Sequence, residues 1–247
     1  MLNVNINILK SGICVNRLKQ FSVHFFYELC YTFYMTKAEV RKQIKETLSA
    51  VKSSLPAQSR KICEQILAST RYTSCTTLLA YMPLADEVDV LPVITDALKK
   101  KKKVFLPRVF PDTNKMEFYR YEAGSETSTG SFGIQEPEAD EAKSFSRFLE
   151  KMSINEYSPA AHSSNYVDIP EPSQGTEHIF ILVPGRAFTT SGRRLGRGKG
   201  FYDIYLSGLP QIFDIKKSGV CFSQQLLPDL PTTPDDVMMD NVYSGQS

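Results

Sequence analysis

Apolar residues recur along this chain with two periods. After Thr36 the positions Val40, Ile44, Leu48 and Val51 step at helical spacing, and Thr36 with Glu39 forms a capping box, so a helix is predicted here. A second helix follows Ser53–Ser54 and Pro56, with Ile62, Ile66 and Leu67 on one face. Thr76 to Met82 is a short apolar run that stops at Pro83 and reads as a strand. Val90, Val93, Ile94 and Leu98 return to helical spacing and close in the lysine run 99–103. Further strands are predicted at Val104–Leu106, Glu117–Tyr121, Ile179–Val183 and Gly219–Phe222, with a helix starting near Phe201. Strands alternating with helices predict an α/β fold built on an open, mostly parallel sheet flanked by helices.

The pattern lapses twice. Residues 1–34 carry Lys10, Arg17 and Lys19 against the single acid Glu28 and end in an aromatic cluster. His24 and Glu28 interrupt them well short of the ~20 apolar residues of a membrane span. They are compatible with a mitochondrial presequence and equally with a mis-start ahead of Met35. From about 138 to 177 the chain is rich in Ser, Glu, Pro and Asn and reads as a mobile surface insertion, with a short helix around Phe145 to Met152. The expected organisation is an N-terminal extension, 1–34, and one domain, 35–247, that contains this insertion. A cytoplasmic location follows, or a mitochondrial one if 1–34 acts as a presequence.

Composition narrows the chemistry. With 29 Lys+Arg against 27 Asp+Glu the formal net charge is +2, which argues against a whole-chain electrostatic nucleic-acid binder, and 42% hydrophobic residues argue against general disorder. The five cysteines form no C-x-x-C unit and the three histidines show no ligand spacing, so neither a zinc site nor a disulfide scaffold is expected. The lysine run reads as a solvated helix C-terminus stabilised by the macrodipole.

The chemistry concentrates in Val183 to Asp203. This run follows a strand and opens a helix, the place where open α/β sheets bind ligands. Gly196, Gly198 and Gly200 alternate with Arg197 and Lys199, and Arg193 and Arg194 precede them. Glycine lets backbone N–H groups approach an anion, the cations neutralise it, and a helix N-terminus adds partial positive charge. A polyphosphate is the predicted ligand. The spacing fits neither the Walker loop nor G-x-G-x-x-G.

The run G-R-R-L-G-R-G-K-G-F-Y-D closely resembles the signature of the 5-formyltetrahydrofolate cyclo-ligase (5,10-methenyltetrahydrofolate synthetase) family. Lys37 with Arg41, Asp86–Glu87, Leu106–Pro107–Arg108, Gly133–Ile134 with Glu136–Pro137, and Leu230–Pro231 with Asp235–Asp236 match further family elements. The resemblance implies a Rossmann-like three-layer fold of cyclo-ligase type. It also implies Mg²⁺- and ATP-dependent conversion of 5-formyltetrahydrofolate to 5,10-methenyltetrahydrofolate through a phosphorylated N5-formyl intermediate.

By the same resemblance, ATP would be bound by Lys37, Arg41, Arg194, Leu195, Gly196, Arg197, Gly198, Lys199, Gly200, Phe201 and Tyr202, with Arg197 and Lys199 catalytic. The folate would be contacted by Met82, Glu87, Arg197 and Tyr202, and Phe132 is a further candidate for ring stacking. Asp203 and Asp236 would hold Mg²⁺, with Asp235 and Asp240 as alternatives to Asp236. Arg186 and Arg193 are candidates for a polyglutamate tail. A monomer is expected, with neither nucleic acid nor membrane as partner. The competing reading is a noncatalytic anion or nucleic-acid binding module on the same fold, using the lysine run and the 193–199 cluster.

Overall fold

The computed structural model describes residues 35–125, 127–130, 133, 135–156 (backbone only for 154–156) and 177–245. Expectations for 1–34, for Phe132 and Ile134, and for 157–176 lie outside the described residues.

The predicted helix is α1, Lys37–Ala50. Glu39 N donates to Thr36 Oγ1 and Thr36 N donates to Glu39 Oε2, which closes the capping box. Val40, Ile44 and Leu48 are its buried face. Two helices follow, α2 at Leu55–Ala68 and the short α3 at Thr70–Ser74. Strand β1 is Thr77–Leu79, shorter than its apolar run because the chain leaves the sheet toward Pro83. Helix α4, Leu91–Lys99, leads to β2, Lys103–Phe110.

Lys101, at φ 56, turns the chain out of α4, with its N–H on the Leu98 carbonyl. Its neighbours in the lysine run are engaged. Lys100 pairs with Asp96, Lys102 Nζ meets the Cys75 carbonyl and the Tyr72 ring, and Lys103 pairs with Glu177. Lys99 and Lys101 stay exposed, so only part of the run is tied down by these contacts.

Strand β3, Lys115–Tyr121, folds back antiparallel on β2. The small hairpin β4–β5 (Thr127–Thr129, Gln135–Pro137) and helix α5, Phe145–Glu156, come next. Strand β6, His178–Pro184, runs into the two-residue strands β7, Ala187–Phe188, and β8, Arg194–Leu195. Helix α6, Phe201–Ser207, then β9, Asp214–Val220, and β10, Asn241–Tyr243, complete the chain. Strand β9 starts five residues before the apolar run that predicted it, because its Lys216–Lys217 stretch pairs with β6 despite its polarity.

The main sheet has the order β10-β9-β6-β1-β2-β3, all parallel except β3. Alternate residues of its central strands feed two cores. Leu78, Val104, Leu106, Phe180 and Leu182 join the core under α1, α2 and α4. Leu79, Phe105, Ile179, Ile181 and Val183 join the core that holds Phe145, Leu149 and Leu206. Burial on both faces explains why β6 is an unbroken apolar run. The result is the predicted three-layer α/β fold.

The insertion expected from about 138 does not hold for its first part. Helix α5 packs Phe145, 0% exposed, edge-on to Phe105 of β2 at a ring distance of 5.1 Å. Its sequence looked solvated because a single helix face carries all of its buried residues. Phe145→Ala is expected to lower unfolding stability by about 3–5 kcal/mol in urea titrations, whereas a surface insertion would leave it within about 0.5 kcal/mol.

Candidate functional site

Strand order decides where a site forms. From β1 the chain crosses to β2 on one side, and from β6 it crosses to β9 on the other. The β1 and β6 exits therefore diverge and leave a crevice beyond their carboxyl ends. The β1 exit carries Tyr81 to Glu87, and the β6 exit carries Pro184 to Gly200. Between them lies a cavity of about 840 Å³, counting its open mouth, whose walls include Met82, Glu87, Pro107, Val109, Met116, Glu136 and Arg194 to Asp203 in part.

The glycine loop is anchored at its base and open at its rim. Gly198 and Gly200 adopt φ 105 and 73, values that a side chain would strain. Arg194 is not on the rim. Its side chain is 3% exposed, Nη2 lies 2.9 Å from Asp203 Oδ2, Nη1 donates to the Pro184 carbonyl, and the guanidinium lies 5.5 Å from the Tyr202 ring centroid. It supports the loop from below. Leu195, expected at ATP, has its side chain in the core and its carbonyl bonded by Arg186 N. The two side chains leave β8 on opposite faces, and both faces are covered by the fold, which spacing alone does not reveal. Helix α6 has only seven residues, so charged side chains outweigh any helix dipole here.

Arg197 reaches across the crevice. Its Nε donates to Glu87 Oε1 at 3.0 Å, and Nη2 pairs with Asp86 and with Glu87. Asp86 also pairs with Arg186, and Glu87 Oε2 accepts from Leu84 N at 3.1 Å. The acid pair and the cation loop thus form one network between the two strand exits. Lys199 is exposed, lines the cavity and forms no ion pair among the described residues.

The second cluster joins the N- and C-terminal thirds. Lys37 and Arg41 share one face of α1, as their spacing predicts. Lys37 Nζ lies 2.7 Å from Asp236 Oδ2, and Arg41 Nε donates to the Gly196 carbonyl at 2.8 Å. Val237 N donates to Asp203 Oδ1 at 3.3 Å, which brings the Asp236 segment to the first turn of α6. Of the alternatives, Asp240 is tied to Lys217 N and Asp235 is exposed. Hard carboxylate oxygens beside basic side chains suit Mg²⁺, which needs one or two carboxylates. Among the described residues no group of three His, Cys, Asp or Glu side chains could hold a metal.

The remaining residues divide by burial. Phe201 and Tyr202 line the cavity and pack against the second core. Burial, with the Glu87 charge, pushes the Tyr202 hydroxyl well up, and among the described residues it has no hydrogen-bond partner. Met82 lines the cavity and also packs on the first core. Arg186 and Arg193, expected at a polyglutamate tail, pair with Asp86 and Asp229. Sequence reasoning assigned no role to Asp86 or Glu136, although both stood in motifs it had singled out.

A mostly parallel α/β sheet thus carries, at its switch point, a cation-and-glycine loop facing a carboxylate-bearing apolar cavity. The family model of the 5-formyltetrahydrofolate cyclo-ligase family matches residues 34–150 and 144–245, and the chain belongs to that family of ligases. It is 26% identical over 215 residues to the 5-formyltetrahydrofolate cyclo-ligase of Mus musculus, covering 85% of this chain and 94% of that one. The mitochondrial 5-formyltetrahydrofolate cyclo-ligase of Arabidopsis thaliana is 27% identical over 227 residues, covering 85% and 74%. The solved 5,10-methenyltetrahydrofolate synthetase of Aquifex aeolicus superposes with TM-score 0.61 at 26% identity, covering 86% of this chain and 91% of that one. Among the described residues no helix is long and apolar enough to cross a membrane.

Burial opposes both charges, yet Arg197 and Arg186 hold Asp86, and Lys37 and Thr233 hold Asp236, below the ordinary carboxyl value of 3.8. Their folded values are lowered, so the stability they add is present above pH 3.8 and is lost as pH falls through the folded values. Urea titrations between about pH 6 and about pH 2.5 should show this acid limb, with a smaller slope in an Asp86→Asn, Asp236→Asn double variant. An unchanged slope would remove these pairs as its source.

Proposed function

We propose that this protein converts 5-formyltetrahydrofolate to 5,10-methenyltetrahydrofolate with ATP, releasing ADP and phosphate. The observation that carries this reading is the meeting of Arg197, from the glycine loop, with Glu87 in one cavity and with Asp86 beside it. It joins a phosphate-binding element to a carboxylate able to accept hydrogen bonds from a pterin amino group and ring N–H.

The formyl oxygen attacks the γ-phosphorus and ADP leaves, giving an N5-iminium phosphate. N10 then attacks the iminium carbon and loses its proton, and the C–O bond to phosphate breaks. No protein nucleophile is required, so the residues act by positioning and by neutralising charge. Lys37, Arg41 and the Gly196–Gly200 backbone would bind the triphosphate, and Lys199 the developing charge on the transferring group. Arg197, able to bind two oxygens at once, would exchange carboxylate for phosphate partners. Arg194 keeps Asp203 in place. Asp203 and Asp236 would hold Mg²⁺, which when bound neutralises phosphate charge. Glu87, with Met82 and Tyr202, would seat the pterin.

An ultraviolet assay for the methenyl chromophore tests this with protein, Mg²⁺, ATP and 5-formyltetrahydrofolate. ATP-dependent product is expected, with kcat/KM reduced about 10²–10³-fold in Arg197→Ala. A folded protein that binds ATP but forms no product would overturn the reading.

A further inference from the structure

Glu136 is an acid of the cavity wall that this chemistry leaves without a task. It is 4% exposed and stands on β5, in the hairpin with β4. Arg108 of β2 ties that hairpin down, with Nη1 donating to the Pro137 carbonyl at 2.8 Å and to Ser128 Oγ at 3.2 Å. The Leu106–Pro107–Arg108 and Glu136–Pro137 elements therefore act together, the first anchoring what the second presents. Glu136 lines the cavity together with the apolar residues Pro107, Val109 and Met116.

Space is kept for it. A side chain at Gly130 would collide with the Glu136 carboxyl, and Gly130 has no left-handed φ that would otherwise call for glycine. Among the described residues the carboxyl has one hydrogen bond, a long one of 3.4 Å from Val109 N to Oε1. A buried polar group with spare hydrogen-bonding capacity in an apolar wall is the arrangement by which cavities fix the orientation of a ligand.

We propose that Glu136 is a further substrate-contacting residue, making a hydrogen bond to a polar group of the reduced folate where it lies along the β2–β5 wall. The proposal rests on the cyclo-ligase reading above. Burial pushes the Glu136 carboxyl up, against the pull of the Val109 N–H and the Arg108 charge. The amide of glutamine keeps a hydrogen-bonding group of the same size at this position, and a methyl does not.

Three variants test this by steady-state kinetics and by calorimetric binding of 5-formyltetrahydrofolate, each first shown to be folded by its thermal transition. Glu136→Ala is expected to raise KM for the folate about tenfold, the loss of one good hydrogen bond, while KM for ATP stays within about twofold. Glu136→Gln is expected to stay within about threefold of the parent. Gly130→Ala keeps the carboxyl but displaces it, and is expected to behave like Glu136→Ala; it serves as the probe if that variant fails to fold.

An unchanged folate KM and affinity in Glu136→Ala, or in Gly130→Ala where that is the probe, with an active parent, overturns this proposal alone. So does an equal fall of kcat in the Ala and Gln variants, which would assign the ionised carboxylate a proton-transfer role, or a parallel rise of KM for ATP, which would mark a structural role. A parent that neither turns over nor binds the folate overturns the cyclo-ligase reading together with it.

Discussion

The parallel pairing of β1 with β6 is the contact on which the other features depend. Leu78 sits opposite Phe180 in the first core, and Leu79 opposite Ile181 in the second. Because the chain leaves these strands in opposite directions, the pairing also makes the crevice, and no other neighbouring parallel pair in the sheet has that property. Stability and site location thus follow from one register. A slip by one residue would send the core residues of β1 to the wrong layer and move Glu87 away from Arg197.

Across that crevice the structure balances charges in two ways. Arg194 and Asp203 are a buried pair whose loss would leave an uncompensated charge beneath the loop, so their value lies in holding geometry. Arg197 and Asp86, each about a third exposed, form a shared network with Glu87 and Arg186. The proposed function would use this division: the deep pair would stay fixed, while Arg197 would trade carboxylate for phosphate.

Local order was legible wherever the pattern had one meaning. The α1 capping box, the unbroken apolar β6 and the alternating glycines each name their structure from a few neighbouring residues. The two-residue strands β7 and β8, the β4–β5 hairpin and β10 gave no such pattern, since strands of two or three residues have too few positions for a period. Their order comes from pairing with segments that are already placed. Helix α5 lay between these cases: its extent was largely readable, but the burial of Phe145 depends on Phe105, forty residues earlier in the chain.

The same boundary runs through the site. Composition, periodicity and the loop motif sufficed to determine an α/β fold, a loop of alternating glycines and cations, the shared face of Lys37 and Arg41, and the acids of interest, because each is a property of residues close in sequence. Which arginine lies under the loop and which crosses the crevice was decided only by tertiary structure. Arg194 and Arg197 have similar neighbours, and their difference arises from the direction of β8 and from acids about a hundred residues away. The presentation of Glu136 is of the same kind, since it requires Arg108 on another strand and empty space at Gly130. Side-chain direction and long-range partners are set by packing, and packing exists only once the sheet has assembled.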